Sequence, residues 1–141
     1  MDICAGLRQT AANPLGSGRD RTMDKIIYKI VPMELWQEAR SLGVFKGAPI
    51  DLKDGYIHFS TAAQAVDTAR LHFAGETGLM LVAVDALVFG DSLKWEPSRG
   101  GDLFPHLFAD LPLDAVLWER PLPVGPDGLH VFPDLFAKDV N

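Results

Sequence analysis

The run Leu79 to Val84 holds six apolar residues with no polar break, and it constrains the fold more than any other segment. A strand with one face in water alternates apolar and polar residues, so an unbroken apolar run predicts a strand that is covered on both faces. The run Ile26 to Val31 predicts a second buried strand. The apolar fraction of 48% is sufficient for a core around these strands.

Two main helices are predicted near the N-terminal half of the chain. Pro32 opens the first helix and Gly43 stops it, with apolar residues at helical spacing at Leu35, Trp36, Ala39 and Leu42. Ser60 or Thr61 can cap the second, whose apolar stripe consists of Ala62, Ala65, Val66, Ala69 and Phe73. We expect the intervening segment, Val44 to Lys53, to be a loop.

The remaining chain predicts short strands, and the order of elements indicates the fold class. Their candidates are Leu93–Glu96, Leu103–Phe108, Ala115–Glu119 and Leu129–Phe132. Pro105 is predicted to confine its strand to a sheet edge or a bulge. Strands and helices do not alternate and no GxGxxG motif occurs, so a doubly wound fold is excluded. We predict an α+β fold with one twisted or split sheet.

Composition and charge limit the domain organisation and the partners. Residues 1–22 lack periodicity and predict a disordered N-terminal extension, followed by a single domain over residues 23–141. No run approaches the roughly 18 apolar residues of a membrane span. The net charge of −6 argues against generic binding of nucleic acid. The single cysteine, Cys4, and the absence of a secretory signal pattern favour a cytoplasmic location.

The segment after the Asp-Gly turn at positions 54–55 is the first candidate site. It predicts a short strand whose alternation places Ile57 and Phe59 on one face and Tyr56, His58 and Ser60 on the other. An imidazole and a hydroxyl on one face indicate contact with water or a pocket. Alternatively, His58 is a core histidine bonded to a backbone carbonyl, and Ser60 caps a helix rather than acting as a nucleophile.

The segment Trp95 to His106 is the second candidate site. It contains the carboxylate of Glu96, the guanidinium of Arg99, two adjacent glycines and the imidazole of His106. Paired glycines allow close backbone approach to a ligand, and a guanidinium matches phosphate geometry. Alternatively, the segment is a solvated hairpin loop. The spacing of the four histidines matches no zinc motif, so we expect no metal.

These motifs closely resemble a small bacterial domain family of unknown function, over about Ile26 to Pro133. The segments that carry the resemblance are Ile27–Val31, Gly47–Leu52, Asp54–Thr61, Leu93–Gly101, Leu103–His106 and Val124–Pro133. Some members are labelled glutathione S-transferase-like. That label does not fit this chain, which lacks a thioredoxin-like βαβ start followed by an all-helical half.

The resemblance implies an ADP-ribosyltransferase-like fold, which is a split, twisted α+β sheet that binds NAD in a cleft. It is nearest to RNA 2′-phosphotransferases, whose corresponding strand has the pattern His-x-His-hydrophobic-Ser. The segment Tyr56–Ser60 resembles that strand, with His58 at the shared histidine. The resemblance also implies that His106, in a late strand, occupies the place where many transferases of this fold carry a catalytic glutamate.

The chain departs from those transferases at two places. They often carry histidine and then Gly-Thr in the first strand to hold the nicotinamide ribose, where this chain has Lys29 and Ile30. The late-strand glutamate that activates a ribose hydroxyl has no counterpart. These departures argue against ordinary protein ADP-ribosylation.

The leading hypothesis is a nucleotide- or phosphate-binding cleft in an NAD-dependent transferase or phosphotransferase. His58 and His106 would be its catalytic groups, and Glu96 would orient one imidazole. The predicted ligand contacts are Lys29, Tyr56, Ser60, Arg99, Gly100 and Gly101. The alternatives are a catalytically inactive module that binds a small ligand or a peptide, and a metal-assisted hydrolase.

Overall fold

The structure is a computed structural model that describes residues 25–133, apart from the side chain of Arg99. The predicted N-terminal extension, residues 1–22, and Cys4 within it lie outside the described residues. No helix in residues 25–133 has the length and apolar character that a membrane span requires.

Helices and short strands are mixed along the chain, which confirms the α+β class. Their order is β1 (Ile26–Pro32), α1 (Met33–Leu42), β2 (Val44–Phe45), α2 (Pro49–Asp54), β3 (Ile57–His58), α3 (Ala62–His72), β4 (Leu79–Asp85), β5 (Leu93–Pro97), β6 (Leu103–Leu107), β7 (Leu111–Pro112) and β8 (Val116–Pro121). Within residues 25–133, 3₁₀ segments lie at Ala86–Ser92, Arg99–Gly101 and Leu113–Ala115. The strands form antiparallel sheets in the orders β1-β4-β8, β2-β7 and β3-β6-β5.

Strand β4 is the central strand of the first sheet and is buried on both faces, as its sequence predicts. Val82 and Val84 pack into one core with Trp36 from α1, whereas Leu81 and Ala83 pack into a second core with residues of α3. Each fully buried Leu or Val side chain contributes about 1.5–3 kcal/mol. The first sheet therefore separates two hydrophobic cores, and α1 and α3 cover its two faces.

Two predicted helix boundaries are confirmed, the end of α1 and the start of α3, whereas Pro32 is the last residue of β1 and α1 begins at Met33. Helix α1 stops at Gly43, whose φ of 82° lies in the left-handed region and whose N–H donates to the carbonyl of Ala39. Helix α3 begins after Thr61, whose hydroxyl accepts a hydrogen bond from the backbone N–H of Gln64. The Gln64 side chain accepts from the Thr61 N–H in return. These reciprocal bonds satisfy donors that the first helical turn would otherwise leave unpaired.

The expectation of a loop over Val44 to Lys53 is wrong, because the segment contains β2 and most of α2. Pro49 is the first residue of α2, a position where a missing N–H costs nothing. The carboxylate of Asp51 accepts from the Ala48 N–H at 2.7 Å, which fixes the first turn. A proline followed by an acidic residue is thus sufficient to start a six-residue helix here.

Two strand predictions in the C-terminal half also need correction. Strand β6 lies between β3 and β5 rather than at an edge, and Pro105 is in its middle. The Pro105 carbonyl accepts from the N–H of Phe59, so the backbone of Pro105 faces the β3 side of the sheet. Strand β3 has already ended at His58, and the ladder therefore needs no N–H from Pro105 there. The segment Leu129–Phe132 forms no strand and makes only an isolated bridge between Val124 and His130.

Candidate functional site

The pairing of β3 with β6 brings the two histidines together. His58 and His106 lie directly opposite each other in the ladder, and their ring centroids are 5.5 Å apart in an edge-on arrangement. The ring of Tyr56 stacks on His106 at 4.2 Å and lies 4.7 Å from the ring of His58. Two segments separated by about fifty residues therefore share one aromatic cluster.

The carboxylate of Glu96 orients the ring of His106. Glu96 lies on β5, two residues beyond the position that pairs with His106, so the two side chains are diagonal neighbours across the ladder. The distance from His106 Nδ1 to Glu96 Oε1 is 2.8 Å. Because an ionised carboxylate only accepts, Nδ1 carries the proton in this contact. The imidazole of His106 is 5% exposed.

Asp51 connects the first strand to the histidine pair. Its carboxylate contacts Lys29 Nζ at 3.0 Å and His58 Nδ1 at 2.6 Å, and it also accepts from the backbone N–H groups of Ala48 and His58. Burial acts to raise the pKa of Asp51. The His58 side chain, the charge of Lys29 and the two backbone bonds outweigh burial and hold this pKa at about 2. Asp51 is therefore ionised at neutral pH.

Lys29 lies on strand β1 and is buried against Asp51 of helix α2. Burial lowers the pKa of its ammonium group, and the charge and hydrogen bond of Asp51 act against that effect. The sequence predicted Lys29 as a ligand contact. In the structure its ammonium already binds the buried carboxylate of Asp51.

Both ring nitrogens of His58 face carboxylates. Nδ1 contacts Asp51, and Nε2 lies 2.9 Å from Oδ2 of Asp54, the last residue of α2. Two acceptors on one ring match an imidazolium, which donates from both nitrogens. The His58 ring is 31% exposed, so solvent reaches the contact between His58 and Asp54.

Of the other predicted ligand contacts, Ser60 and Gly101 make hydrogen bonds to groups other than the two histidines, and the side chain of Arg99 is not described. The Ser60 hydroxyl bonds to the hydroxyl of Thr68 on α3, and Thr61 rather than Ser60 caps that helix. Gly100 and Gly101 have φ of 70° and 84°, as paired turn glycines allow, and the Gly101 N–H donates to the Ser98 carbonyl. The side chain of Arg99 lies outside the described residues.

A cleft of about 280 Å³ opens beside Tyr56. It shares Tyr56 and Asp51 with the histidine cluster, although neither imidazole lines it. The cleft is lined by Lys46, Asp51, Leu52, Gly55, Tyr56, Ile57, Leu107, Phe108, Ala109 and Asp110. Tyr56 therefore lines the cleft and also contacts both imidazoles. In residues 25–133, no three histidine, cysteine, aspartate or glutamate side chains are arranged to hold a metal ion.

Residues 30–119 match the family model described as a protein of unknown function, DUF952. This chain belongs to the DUF952 family. The resemblance that the motifs carry is thereby confirmed at the level of the family. No curated protein matched the chain.

The chain is also similar to solved structures of protein CC0527 from Caulobacter crescentus. Its crystal structure is 43% identical, covers 79% of this chain and 98% of the CC0527 chain, and superposes with a TM-score of 0.76. The comparison with its solution NMR structure gives 44% sequence identity over 74% of this chain and 90% of the CC0527 chain, with a TM-score of 0.69.

Two residues of this candidate site, Asp51 and Asp54, were not predicted from the sequence. Asp51 lies in the segment that was expected to be a loop, and Asp54 lies in the Asp-Gly turn that follows it. A signal was present, because Lys29 interrupts an otherwise apolar strand and a buried lysine requires a partner of opposite charge. The sequence does not show which of the nineteen acidic residues supplies that charge.

Proposed function

We propose that this protein binds a small phosphorylated or nucleotide ligand beside Tyr56 and performs acid–base chemistry on it with His58 and His106. The observation that supports the proposal is the pair of imidazoles 5.5 Å apart, each with Nδ1 on a carboxylate. A carboxylate at Nδ1 fixes the tautomer and aims Nε2 at a reacting group. Two such rings supply one acid and one base, as transferases and phosphotransferases require.

The dimensions of the cleft favour a small ligand. Its volume of about 280 Å³ lies at the lower end of small-molecule sites, which measure roughly 300–1,000 Å³. A ring packed against Tyr56 and Phe108 with one phosphate group fits this volume, whereas NAD would extend beyond it. Lys46 on the cleft wall supplies a positive charge. The Arg99 guanidinium and the Gly100–Gly101 turn are proposed as further phosphate contacts.

Ligand titration followed by NMR tests this proposal. NAD, ADP-ribose and a 2′-phosphorylated ribose would each be added while the ring signals of His58 and His106 are observed. We expect the smaller ligands to shift both rings, and we expect His58→Ala and His106→Ala to reduce binding or turnover at least tenfold. His72→Ala is the matched control, since His72 is exposed on α3. The proposal fails if no ligand at millimolar concentration shifts either ring.

A second candidate is a binding module without catalysis. The observation that favours it is the occupation of both His58 nitrogens by carboxylates, which leaves neither nitrogen free to exchange a proton with a substrate. In this case the same ligands would bind with no turnover, and His58→Ala would change affinity alone. Single-turnover assays with each ligand distinguish the two candidates.

A further inference from the structure

The two carboxylates that hold His58 differ in how firmly they are fixed. Asp51 is buried and accepts from three other groups, the Lys29 ammonium and the N–H groups of Ala48 and His58. Asp54 is 35% exposed, and within residues 25–133 its carboxylate bonds only to the imidazole. Exposed ion pairs contribute little net stability. Only the Asp54 contact can therefore be exchanged at low cost.

The position of Asp54 further weakens its hold. It is the last residue of α2, where the backbone carbonyls carry partial negative charge and disfavour a carboxylate. Gly55 follows with φ of 90° and leads directly into the Tyr56 segment. The Asp54 side chain can thus turn towards water without disturbing the contacts of Asp51.

A ligand anion cannot simply be added beside Asp54. The carboxylates of Asp54 and Glu96 already lie near Tyr56, and burial together with these two charges raises the pKa of its phenol. A further anion at Nε2 of His58 would meet repulsion from Asp54 at contact distance. If the ligand oxygen instead replaces Asp54, the His58 ring keeps an acceptor at each nitrogen and the number of anionic groups at Nε2 is unchanged.

We propose that Nε2 of His58 is an anion subsite which the Asp54 carboxylate occupies in the free protein, and that a phosphate oxygen of the ligand displaces Asp54. This inference rests on the proposed function and adds where the phosphate binds. The remainder of the ligand then extends past Tyr56 into the cleft. The contact between His58 Nε2 and Asp54 is then the ligand-free state of this subsite.

Competition by Asp54 can be measured with inorganic phosphate and ADP-ribose as probes. In Asp54→Ala the competing carboxylate is absent, so both probes should bind about fivefold more tightly, the equivalent of one charge pair about 4 Å apart in water. The control is Asp67→Ala, which removes an exposed carboxylate that pairs with Arg70 on α3 and does not line the cleft. The His58 Nε2 signal, observed by long-range ¹H–¹⁵N NMR, reports binding at the subsite.

Equal or weaker binding by Asp54→Ala, or an equal gain in Asp67→Ala, would overturn the subsite. The isosteric Asp54→Asn gives a second reading if the alanine variant is unstable. If the probes shift the His58 and His106 rings in the unaltered protein but Asp54→Ala brings no gain, the subsite alone is wrong. If neither the unaltered protein nor the variant binds either probe, the proposed function fails with it.

Discussion

Replacing Asp51 with asparagine should destabilise the fold far more than an isosteric change usually does. All the contacts of the carboxylate are donors, namely the Lys29 ammonium, the His58 ring and the N–H groups of Ala48 and His58. Asparagine has one acceptor oxygen and an NH₂ group. In either orientation of the amide, the NH₂ group therefore faces donors, and the Lys29 charge loses its counter-charge.

The expected cost follows from the burial of this pair. The Asp51 side chain is 1% exposed and that of Lys29 is 7% exposed. Removing one partner of a buried ion pair costs about 3–5 kcal/mol, because the remaining charge stays buried and unpaired. Domains of this size have a free energy of unfolding of about 5–15 kcal/mol, so the variant should lose a fifth or more of it.

Urea unfolding at pH 7 measures the loss, with Asp67→Asn as the control because, among the described residues, Asp67 pairs only with Arg70 at the surface. The control should lose less than about 1 kcal/mol. Adding Lys29→Met to Asp51→Asn should recover part of the loss, since the unpaired ammonium is then gone. A loss below about 1 kcal/mol in Asp51→Asn, or strictly additive effects, would refute the argument from burial.

Three further predictions concern the same region and the helix ends. Between about pH 5 and pH 2 the unaltered protein should lose about 2 kcal/mol, because the pKa of Asp51 is about 2 when folded and 3.8 ordinarily; acid titration of Asp51→Asn should show a flatter limb. Gly47→Ala should destabilise by at least about 1 kcal/mol more than Gly43→Ala in denaturant unfolding. Both residues have positive φ, but an added Cβ at Gly47 would lie 2.9 Å from the Asp51 Cβ, whereas at Gly43 nothing lies within 4 Å. Thr61→Ala should cost about 1 kcal/mol and lower the melting temperature, and an unchanged melting temperature would contradict the cap at α3.

The elements with strong periodicity or clear end signals were predictable. The uninterrupted run of β4 indicated burial on both faces, and Gly43 and Thr61 marked helix ends, because these features depend on residues close in sequence. Helix α2 was missed because six residues are too few for apolar periodicity to appear. The central position of β6 was missed because the rule for proline does not consider where a neighbouring strand stops.

The candidate site was predictable in its residue types and not in its connections. His58, His106 and Glu96 stood out as polar groups in strand-like segments, and the structure places them in one cluster. Asp51 and Asp54 did not stand out, since their roles depend on a strand register and a helix position that only the fold defines. The neighbourhood of Lys29 likewise follows from long-range pairing.

Pro105 also affects how the two larger sheets are connected. With no N–H to offer Phe59, it ends the ladder of β3, and the next residue, Ser60, exchanges two backbone hydrogen bonds of 2.8 Å with Tyr28 in the first sheet. His58, Phe59 and Ser60 thus connect the two sheets, because His58 pairs with β6 and Ser60 pairs with β1. Amide hydrogen exchange at Tyr28, whose N–H donates to the Ser60 carbonyl, therefore reports whether a change of partner at the His58 ring reaches the first sheet.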